Sequence, residues 1–277
     1  MKQIKMILAV FVISISLING EGWTKKAGSG YYAIDYRFLS STKYHDSSGD
    51  NIEFGGIKDL AFNLYSEYGL TDELTLKLNF PFYKILNRED DECSDCQKDN
   101  SGIGDLDIGL RYKLKSFGKT TLATSLLLGI PINSDDIYGE SNKLALGDGE
   151  FNQVLGIEVG HSMYPLPSYI SGSIKFNNRN EGYSDQIMLG IEGGYKFHKK
   201  LLVNLRFSYL KSLKNGDKEI FNDIVPVHAN NQEFTSIKIG GFYNFYKNFG
   251  IASTAVFGLS AKNILSAPVY SIGFYIR

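Results

Sequence analysis

Apolar and polar residues alternate along most of the chain. The clearest case lies at 105–115, where Leu106, Ile108, Leu110, Tyr112 and Leu114 occupy every second position. The positions between them carry Asp, Gly, Arg or Lys. Strict period two over about ten residues predicts a β-strand with one apolar and one charged face.

The same alternation recurs in eleven further segments, so the sequence predicts about twelve strands. Pro81 is expected at a rim or a bulge, because proline cannot donate a hydrogen bond to a strand ladder. The predicted strands are 30–39, 58–70, 74–82, 105–117, 121–130, 151–163, 169–176, 187–197, 201–210, 235–246, 251–259 and 269–277.

The connections between these segments alternate in length. Short ones lie near 71–73, 118–120, 164–167, 198–200 and 247–249, and long ones near 41–56, 86–102, 131–149, 177–184, 212–232 and 260–267. Short turns at one end and long loops at the other are typical of outer-membrane barrels. The predicted fold is therefore all-β: a transmembrane, antiparallel, up-and-down β-barrel of about twelve strands. An even strand number places both termini on the short-turn, periplasmic side.

A soluble sandwich or a lipocalin-like barrel is the alternative, since its strands would also alternate, with the apolar face inward. The first twenty residues favour an exported barrel over this alternative. Lys2 and Lys5 precede an apolar run at 6–18, and Gly20 is a small residue at a plausible cleavage point. This pattern predicts a cleaved signal peptide at 1–20, although a buried helix is the alternative. A short periplasmic segment at 21–29 and a barrel at 30–277 would follow, located in the bacterial outer membrane.

Composition excludes one class of partner. The chain carries 29 Lys and Arg against 30 Asp and Glu without a basic block, which gives no basis for nucleic-acid binding. After residue 20 no apolar run reaches the roughly 20 residues of a membrane helix, so only a closed barrel could span a bilayer. The expected partners are membrane lipids, lipopolysaccharide, the barrel assembly machinery and a small-molecule solute.

The charged face of the predicted strands would line the barrel lumen. Eight strands leave an interior filled by side chains and sixteen leave a water channel, so twelve predict a narrow or gated path. A ladder of structural ion pairs is an equally weighted alternative. Glu158, Lys175 and Lys196 also lie on this face. The lumen-lining candidates are Asp35, Arg37, Glu67, Lys77, Asp105, Asp107, Arg111, Lys113, Glu192, Arg206 and Lys238.

No arrangement of residues predicts catalysis, a cofactor or a metal centre. Cys93 and Cys96 form the only cysteine pair, and in an exported loop a local disulfide is the simplest interpretation. The acidic residues at 89–92 could bind calcium, but a solvated charge run is the simpler reading. His161 and Ser162 are consecutive on a predicted strand, so their side chains point to opposite faces and cannot form a dyad.

The stretch GIGDLDIGLRYKL at 102–114 resembles a motif of the MetA-pathway-of-phenol-degradation, or transporter-like, family of bacterial outer-membrane β-barrel proteins. SEYGLTDELTLKLNFPF at 66–82, LGIPIN at 128–133 and LGDGEFN at 146–152 agree with it in order. The resemblance implies a channel or transporter for small, hydrophobic or aromatic solutes, without catalysis. A lipid-modifying enzyme on a barrel of similar size and a structural or adhesive barrel remain the alternatives.

Overall fold

The computed structural model describes residues 20–89, 98–132, 144–217 and 228–277. These residues form fourteen β-strands. Within the described ranges, no helix has the length and apolarity needed to cross a membrane. The strands are β1 Gly30–His45, β2 Asn51–Gly69, β3 Leu74–Arg88, β4 Asp99–Gly102, β5 Leu106–Phe117, β6 Thr120–Ile130, β7 Asn152–Ser162, β8 Ser168–Asn178, β9 Gln186–His198, β10 Leu201–Ser212, β11 Glu233–Tyr246, β12 Phe249–Lys262, β13 Ile264–Leu265 and β14 Val269–Ile276.

Twelve of the strands close into one antiparallel barrel. Each pairs with its neighbours in sequence, and β1 closes the sheet by pairing with both β2 and β14. The two remaining strands are short extensions, since β4 pairs only with β3 and β13 only with β1. The predicted all-β fold with about twelve antiparallel strands is therefore confirmed.

The barrel has two different ends. At the short-turn end, tight connections join β2 to β3, β5 to β6, β7 to β8, β9 to β10 and β11 to β12. At the long-loop end lie the connections from β3 to β4, β6 to β7, β8 to β9 and β10 to β11.

Large apolar side chains point away from the lumen. In β14, Phe274 is 66% exposed while its neighbour Tyr275 is 3% exposed, and the same alternation runs along β1 and β7. A soluble barrel would bury its apolar face inside. The observed arrangement is the opposite, and it provides an apolar outer wall of the kind that lipid contacts in a membrane barrel.

The first predicted long loop, 41–56, is mostly strand. β1 and β2 continue past the barrel wall and are joined by only five residues, 46–50. A salt bridge of 3.0 Å between Lys43 Nζ and Glu53 Oε1 links the two strands, and Asp46 Oδ1 accepts backbone hydrogen bonds inside the turn. Cross-strand pairing of polar residues thus extends a hairpin where composition alone predicted a loop.

Pro81 lies at a bulge, as predicted. The register shifts there, because Phe62 pairs with Tyr83 while the next residue, Asn63, pairs with Pro81. The predicted end of this strand at residue 82 is wrong, however, since β3 continues to Arg88. Ladder pairing with β2 resumes beyond the bulge and accounts for the extra length.

Candidate functional site

The N-terminal segment, residues 20–29, enters the barrel from the short-turn end. At the rim, Ala27 N donates a 2.9 Å hydrogen bond to Asp72 Oδ1, and Gly28 N donates one of 2.9 Å to the Gly69 carbonyl. From there the chain runs inward, and Glu21 is 4% exposed. The segment therefore occupies the part of the lumen that lies toward the short-turn end.

Glu21 is held by two cations of the wall. Its carboxylate forms ion pairs with Lys175 of β8 and with Arg206 of β10, where Arg206 Nη2 and Glu21 Oε2 are 3.0 Å apart. Burial opposes ionisation of Glu21, but the charges of Lys175 and Arg206 outweigh it and hold the pKa well below its usual range. Glu21 is thus an anionic anchor near the middle of β10.

Trp23 fills the next part of the lumen. Its ring packs edge-on against Tyr169, with centroids 5.6 Å apart and an interplanar angle of 87°. Gly160 of β7 makes room for it, because a Cβ atom there would lie 2.6 Å from the Trp23 ring. Gly22 has a φ of 97°, a left-handed conformation that favours glycine and lets its backbone approach β7 closely.

Arg111 is the centre of a buried ion-pair network. Its Nε atom lies 2.6 Å from Glu158 Oε2 and its Nη1 atom 3.4 Å from Glu67 Oε1. The same Nη1 donates a 3.2 Å hydrogen bond to the Trp23 carbonyl, and Lys25 Nζ lies 3.2 Å from Glu67 Oε2. Two of the predicted lumen-lining residues, Arg111 and Glu67, therefore contact each other. They bind the N-terminal segment instead of lining an open pore.

Three other predicted lumen-lining residues, Lys113, Glu192 and Arg206, lie outside the Arg111 network. Lys113 lies at the short-turn rim, where its Nζ atom is 3.2 Å from Glu73 Oε1. Glu192 accepts a 2.6 Å hydrogen bond from the Tyr169 hydroxyl and lies 3.9 Å from Arg206 Nη1. Lys113 is thus a rim residue, whereas Glu192 and Arg206 belong to the wall around the N-terminal segment.

A cavity of about 370 Å³ remains in the lumen. Its lining contains seven of the predicted candidates, and they bring both signs of charge to one space. Lys77 also lines the cavity; it forms no salt bridge with any residue in the described part of the chain, and Glu67 and Glu158 act on its ammonium group only electrostatically, from a longer distance. The charged lining residues are Glu21, Asp35, Arg37, Lys77, Lys84, Asp105, Asp107, Asp148, Glu150, Lys175, Arg179, Arg206 and Lys238.

Most anions in this lining are engaged with neighbouring groups. Asp35 Oδ1 accepts a 3.0 Å hydrogen bond from Asn63, and Asp107 Oδ2 one of 3.1 Å from Asn79. Asp105 accepts from the backbone nitrogens of Ile132 and Asp148, at 3.2 and 2.9 Å. Burial and the negative charge of Asp148 raise the pKa of Asp105, which precedes β5, to about 6.

Residues 144–146 cover the cavity toward the long-loop end. Leu144 and Leu146 are buried in an apolar cluster with Leu39 and Leu86. Lys84 donates a 3.0 Å hydrogen bond to the Leu146 carbonyl, and its Nζ atom lies 3.5 Å from Asp59 Oδ2. Part of the long connection between β6 and β7 therefore folds into the barrel, which narrows the lumen from this side.

The interior is less uniformly polar than the sequence analysis predicted. Inward positions of β1, β2, β11 and β14 carry an aromatic cluster of Tyr31, Tyr65, Phe242 and Tyr275. These residues lie on the same face of their strands as the charged candidates, so the period-two pattern could have identified them as inward-facing. Asp59 could have been found in the same way, whereas Glu21 and Trp23 carry no local signal.

Cys93 and Cys96 lie outside the described residues, so their disulfide stays a prediction. Among the residues that the structure does describe, no group of three or more His, Cys, Asp or Glu side chains is placed to hold a metal ion.

Comparison with known proteins identifies the fold. No family model matches the chain and no curated protein matches it, so the resemblance to the MetA-pathway-of-phenol-degradation family stays a prediction. Among solved structures, the COG4313 outer membrane channel from Pseudomonas putida F1 superposes with a TM-score of 0.68 at 15% identity, covering 94% of this chain and 99% of that one. The NanC porin gives 0.53 at 7% identity, covering 90% and 100%, and the KdgM porin with disordered oligogalacturonate gives 0.50 at 9%, covering 88% and 98%. The chain has the barrel fold of outer-membrane channels.

Proposed function

We propose that this protein is an outer-membrane channel that passes small solutes through its lumen. The observation that carries the proposal is the charged cavity of about 370 Å³ inside a closed barrel whose outer wall is apolar. An ordinary protein core would not place so many ionisable side chains around one cavity. The likeness to barrels named as channels and porins supports the same role.

The N-terminal segment acts as a plug at the short-turn end of this channel. Glu21, Trp23 and Lys25 fill the lumen where an open path would have to continue. A solute must wait for this segment to move, which makes the channel a gated one. The gate is held mainly by charged groups, which water can solvate when the segment leaves.

The solute we propose is a small organic molecule with an apolar or aromatic part and at least one polar group. Apolar side chains share the cavity lining with the charged ones, among them Leu39, Leu146, Val256 and Phe234. Such a mixed lining suits an amphipathic solute. The resemblance at 102–114 supports this solute class, because the family it suggests is associated with aromatic compounds.

The membrane arrangement is part of the proposal. The apolar outer wall would contact lipid, with lipopolysaccharide around the long-loop end, and the barrel assembly machinery would insert the chain. Cleavage of a signal peptide at 1–20 would leave both termini in the periplasm. N-terminal sequencing of the exported protein tests the cleavage, and an epitope tag on residue 277 tests the orientation in intact cells.

Single-channel recording in planar bilayers tests the function. We expect brief, low-conductance openings from the purified protein and larger, longer openings from a variant that lacks residues 21–28. If neither protein conducts and neither admits small aromatic acids into liposomes, the channel proposal fails. If both proteins conduct equally, the channel proposal is supported and the proposal that the N-terminal segment is a plug fails.

A further inference from the structure

Exposed basic side chains are concentrated at the short-turn end of the barrel. They occupy the N-terminal segment, the ends of β5 and β9, three of the tight turns and the last residue, so they are distributed around the rim. Within the part of the chain that the structure describes, the exposed acidic residues beside them are Asp72 and Glu73. We call the following eight residues the basic rim: Lys26, Lys115, Lys119, Lys196, Lys199, Lys200, Lys247 and Arg277.

The charges of the basic rim are not neutralised by the protein. Within the described ranges, none of the eight forms a salt bridge. The two nearby acids are engaged elsewhere, since Asp72 accepts a hydrogen bond from Ala27 N and Glu73 pairs with Lys113. The rim therefore presents a ring of positive charge to whatever surrounds it.

The long-loop end differs in this respect. There, three of the exposed lysines pair with carboxylates, and Lys43 Nζ lies 3.0 Å from Glu53 Oε1. Lys58 pairs with Glu89 in the same way. Among the described residues, the two ends of the barrel thus differ in charge balance, and it is the short-turn end that carries excess cations to attract an anionic partner.

Exposed aromatic side chains lie on the outer wall at the same level as the basic rim. Phe117, Tyr164 and Tyr246 are 55%, 70% and 58% exposed. Lys115 lies over the Phe117 ring at 4.9 Å, Lys119 over Tyr164 at 5.7 Å and Lys247 over Tyr246 at 5.2 Å. Exposed aromatic girdles sit at the level of lipid head groups in barrels, and lysine stems lie along such rings with the ammonium group in the polar layer.

We propose that the basic rim binds the head groups of anionic phospholipids in the leaflet around the short-turn end. A ring of positive charges without salt bridges at head-group level matches a phosphodiester surface, and each Lys or Arg near such a surface strengthens binding about fivefold. The proposal rests on the membrane location proposed above, but it is independent of whether the lumen conducts. Lipid binding and conductance are therefore separate readouts.

Native mass spectrometry of the purified full protein in detergent tests the proposal. Equimolar dioleoyl-phosphatidylglycerol and dioleoyl-phosphatidylcholine are added, and the ratio of their adducts is measured. The rim variant carries Lys115→Gln, Lys119→Gln, Lys199→Gln and Lys247→Gln. The matched control carries Lys43→Gln, Lys58→Gln, Lys211→Gln and Lys214→Gln, which removes the same charge from the long-loop end.

We expect the unmodified protein to prefer phosphatidylglycerol and the rim variant to lose at least about tenfold of that preference, while the control changes less than about twofold. No preference in the unmodified protein, an unchanged preference in the rim variant, or an equal loss in the control would each overturn the proposal. Inorganic phosphate added at constant ionic strength, so that screening does not change, should leave the lipid adducts in place. Displacement by phosphate would identify a free-phosphate site and contradict lipid binding.

Discussion

The Arg111 Nε atom lies 2.6 Å from the Glu158 Oε2 atom, and the two side chains are 1% and 0% exposed. The pair joins β5 to β7 across the inner face of β6. Removing one partner of a buried pair leaves an uncompensated charge, which costs far more than the pair itself contributes. The pair is therefore a structural element of the lumen as well as a support for the N-terminal segment.

Substitution of Arg111 by Met should destabilise the protein by about 3–5 kcal/mol, because Glu158 and Glu67 lose their shared guanidinium. Denaturant unfolding in micelles, followed by circular dichroism, measures the change. Lys113→Gln is the control, since this rim lysine pairs with the half-exposed Glu73 and its loss should cost less than about 1 kcal/mol. Equal stability of the Arg111→Met variant and the parent protein would contradict the network.

Gly160→Leu should expel the N-terminal segment from the lumen. Any side chain at this position would overlap the Trp23 ring. Trp23 is the only tryptophan of the chain, so its fluorescence reports the change as a red shift and faster quenching by acrylamide. Gly241→Leu is the matched control, because a Cβ atom there meets nothing within 4 Å. A buried Trp23 in the Gly160→Leu variant would show that the segment is not lodged beside β7.

The docked segment should tolerate mild acid. Because the pKa of Glu21 is held below its usual value, its ionised form stabilises docking above the free value of about 4.3, and this contribution is lost only as the pH falls through the lower, docked value. Trp23 emission should stay constant from pH 8 to pH 5. A transition within that range would contradict the ion pairs of Glu21. Glu21→Gln should expose Trp23 at every pH.

Ion selectivity should change near pH 6 through Asp105. Its raised pKa of about 6 means that the folded protein holds a proton there that the unfolded chain releases near pH 3.9, so its contribution to stability falls between these values as pH rises. Above pH 6 the cavity gains a negative charge and should favour cations. Reversal potentials at pH 5 and pH 7 measure the shift, and Asp105→Asn should abolish it. A shift that persists in this variant would assign the titration to another group.

Lys77→Gln should shift the ion selectivity of the channel toward cations without loss of stability. Its ammonium group lines the cavity and forms no salt bridge with a described carboxylate. Glu67 and Glu158, which act on it electrostatically, keep Arg111 as their direct partner, so the substitution leaves no buried anion without a salt bridge. Reversal potentials in a salt gradient and denaturant unfolding provide the two readouts. Destabilisation above about 1 kcal/mol would instead assign Lys77 to the ion-pair network.

Local pattern predicted the strands and their faces because β-structure has a period of two that each segment carries by itself. The same pattern placed Pro81 at a bulge. It missed the extension of β1 and β2, where Lys43 and Glu53 stabilise each other only once the hairpin forms. Composition made that stretch look like a loop, although pairing across the hairpin decides its structure.

The occupied lumen could not be predicted from sequence. Glu21 is held by the cations Lys175 and Arg206, which lie 154 and 185 residues away along the chain. No short-range signal links such positions, and the residues at 21–29 look like an ordinary polar leader to the first strand. The charged wall was visible in the sequence, but its partner inside the barrel was not.

The N-terminal segment also has a mechanical consequence. Through Glu21, Gly22, Trp23, Lys25 and Ala27 it is tied to β2, β3, β5, β7, β8 and β10, which are half of the strands in the barrel. A cylinder braced across its interior resists flattening under the lateral pressure of a bilayer. If the segment leaves the lumen as proposed, the cross-section becomes free to deform, so we expect the lumen to open and the wall to soften together.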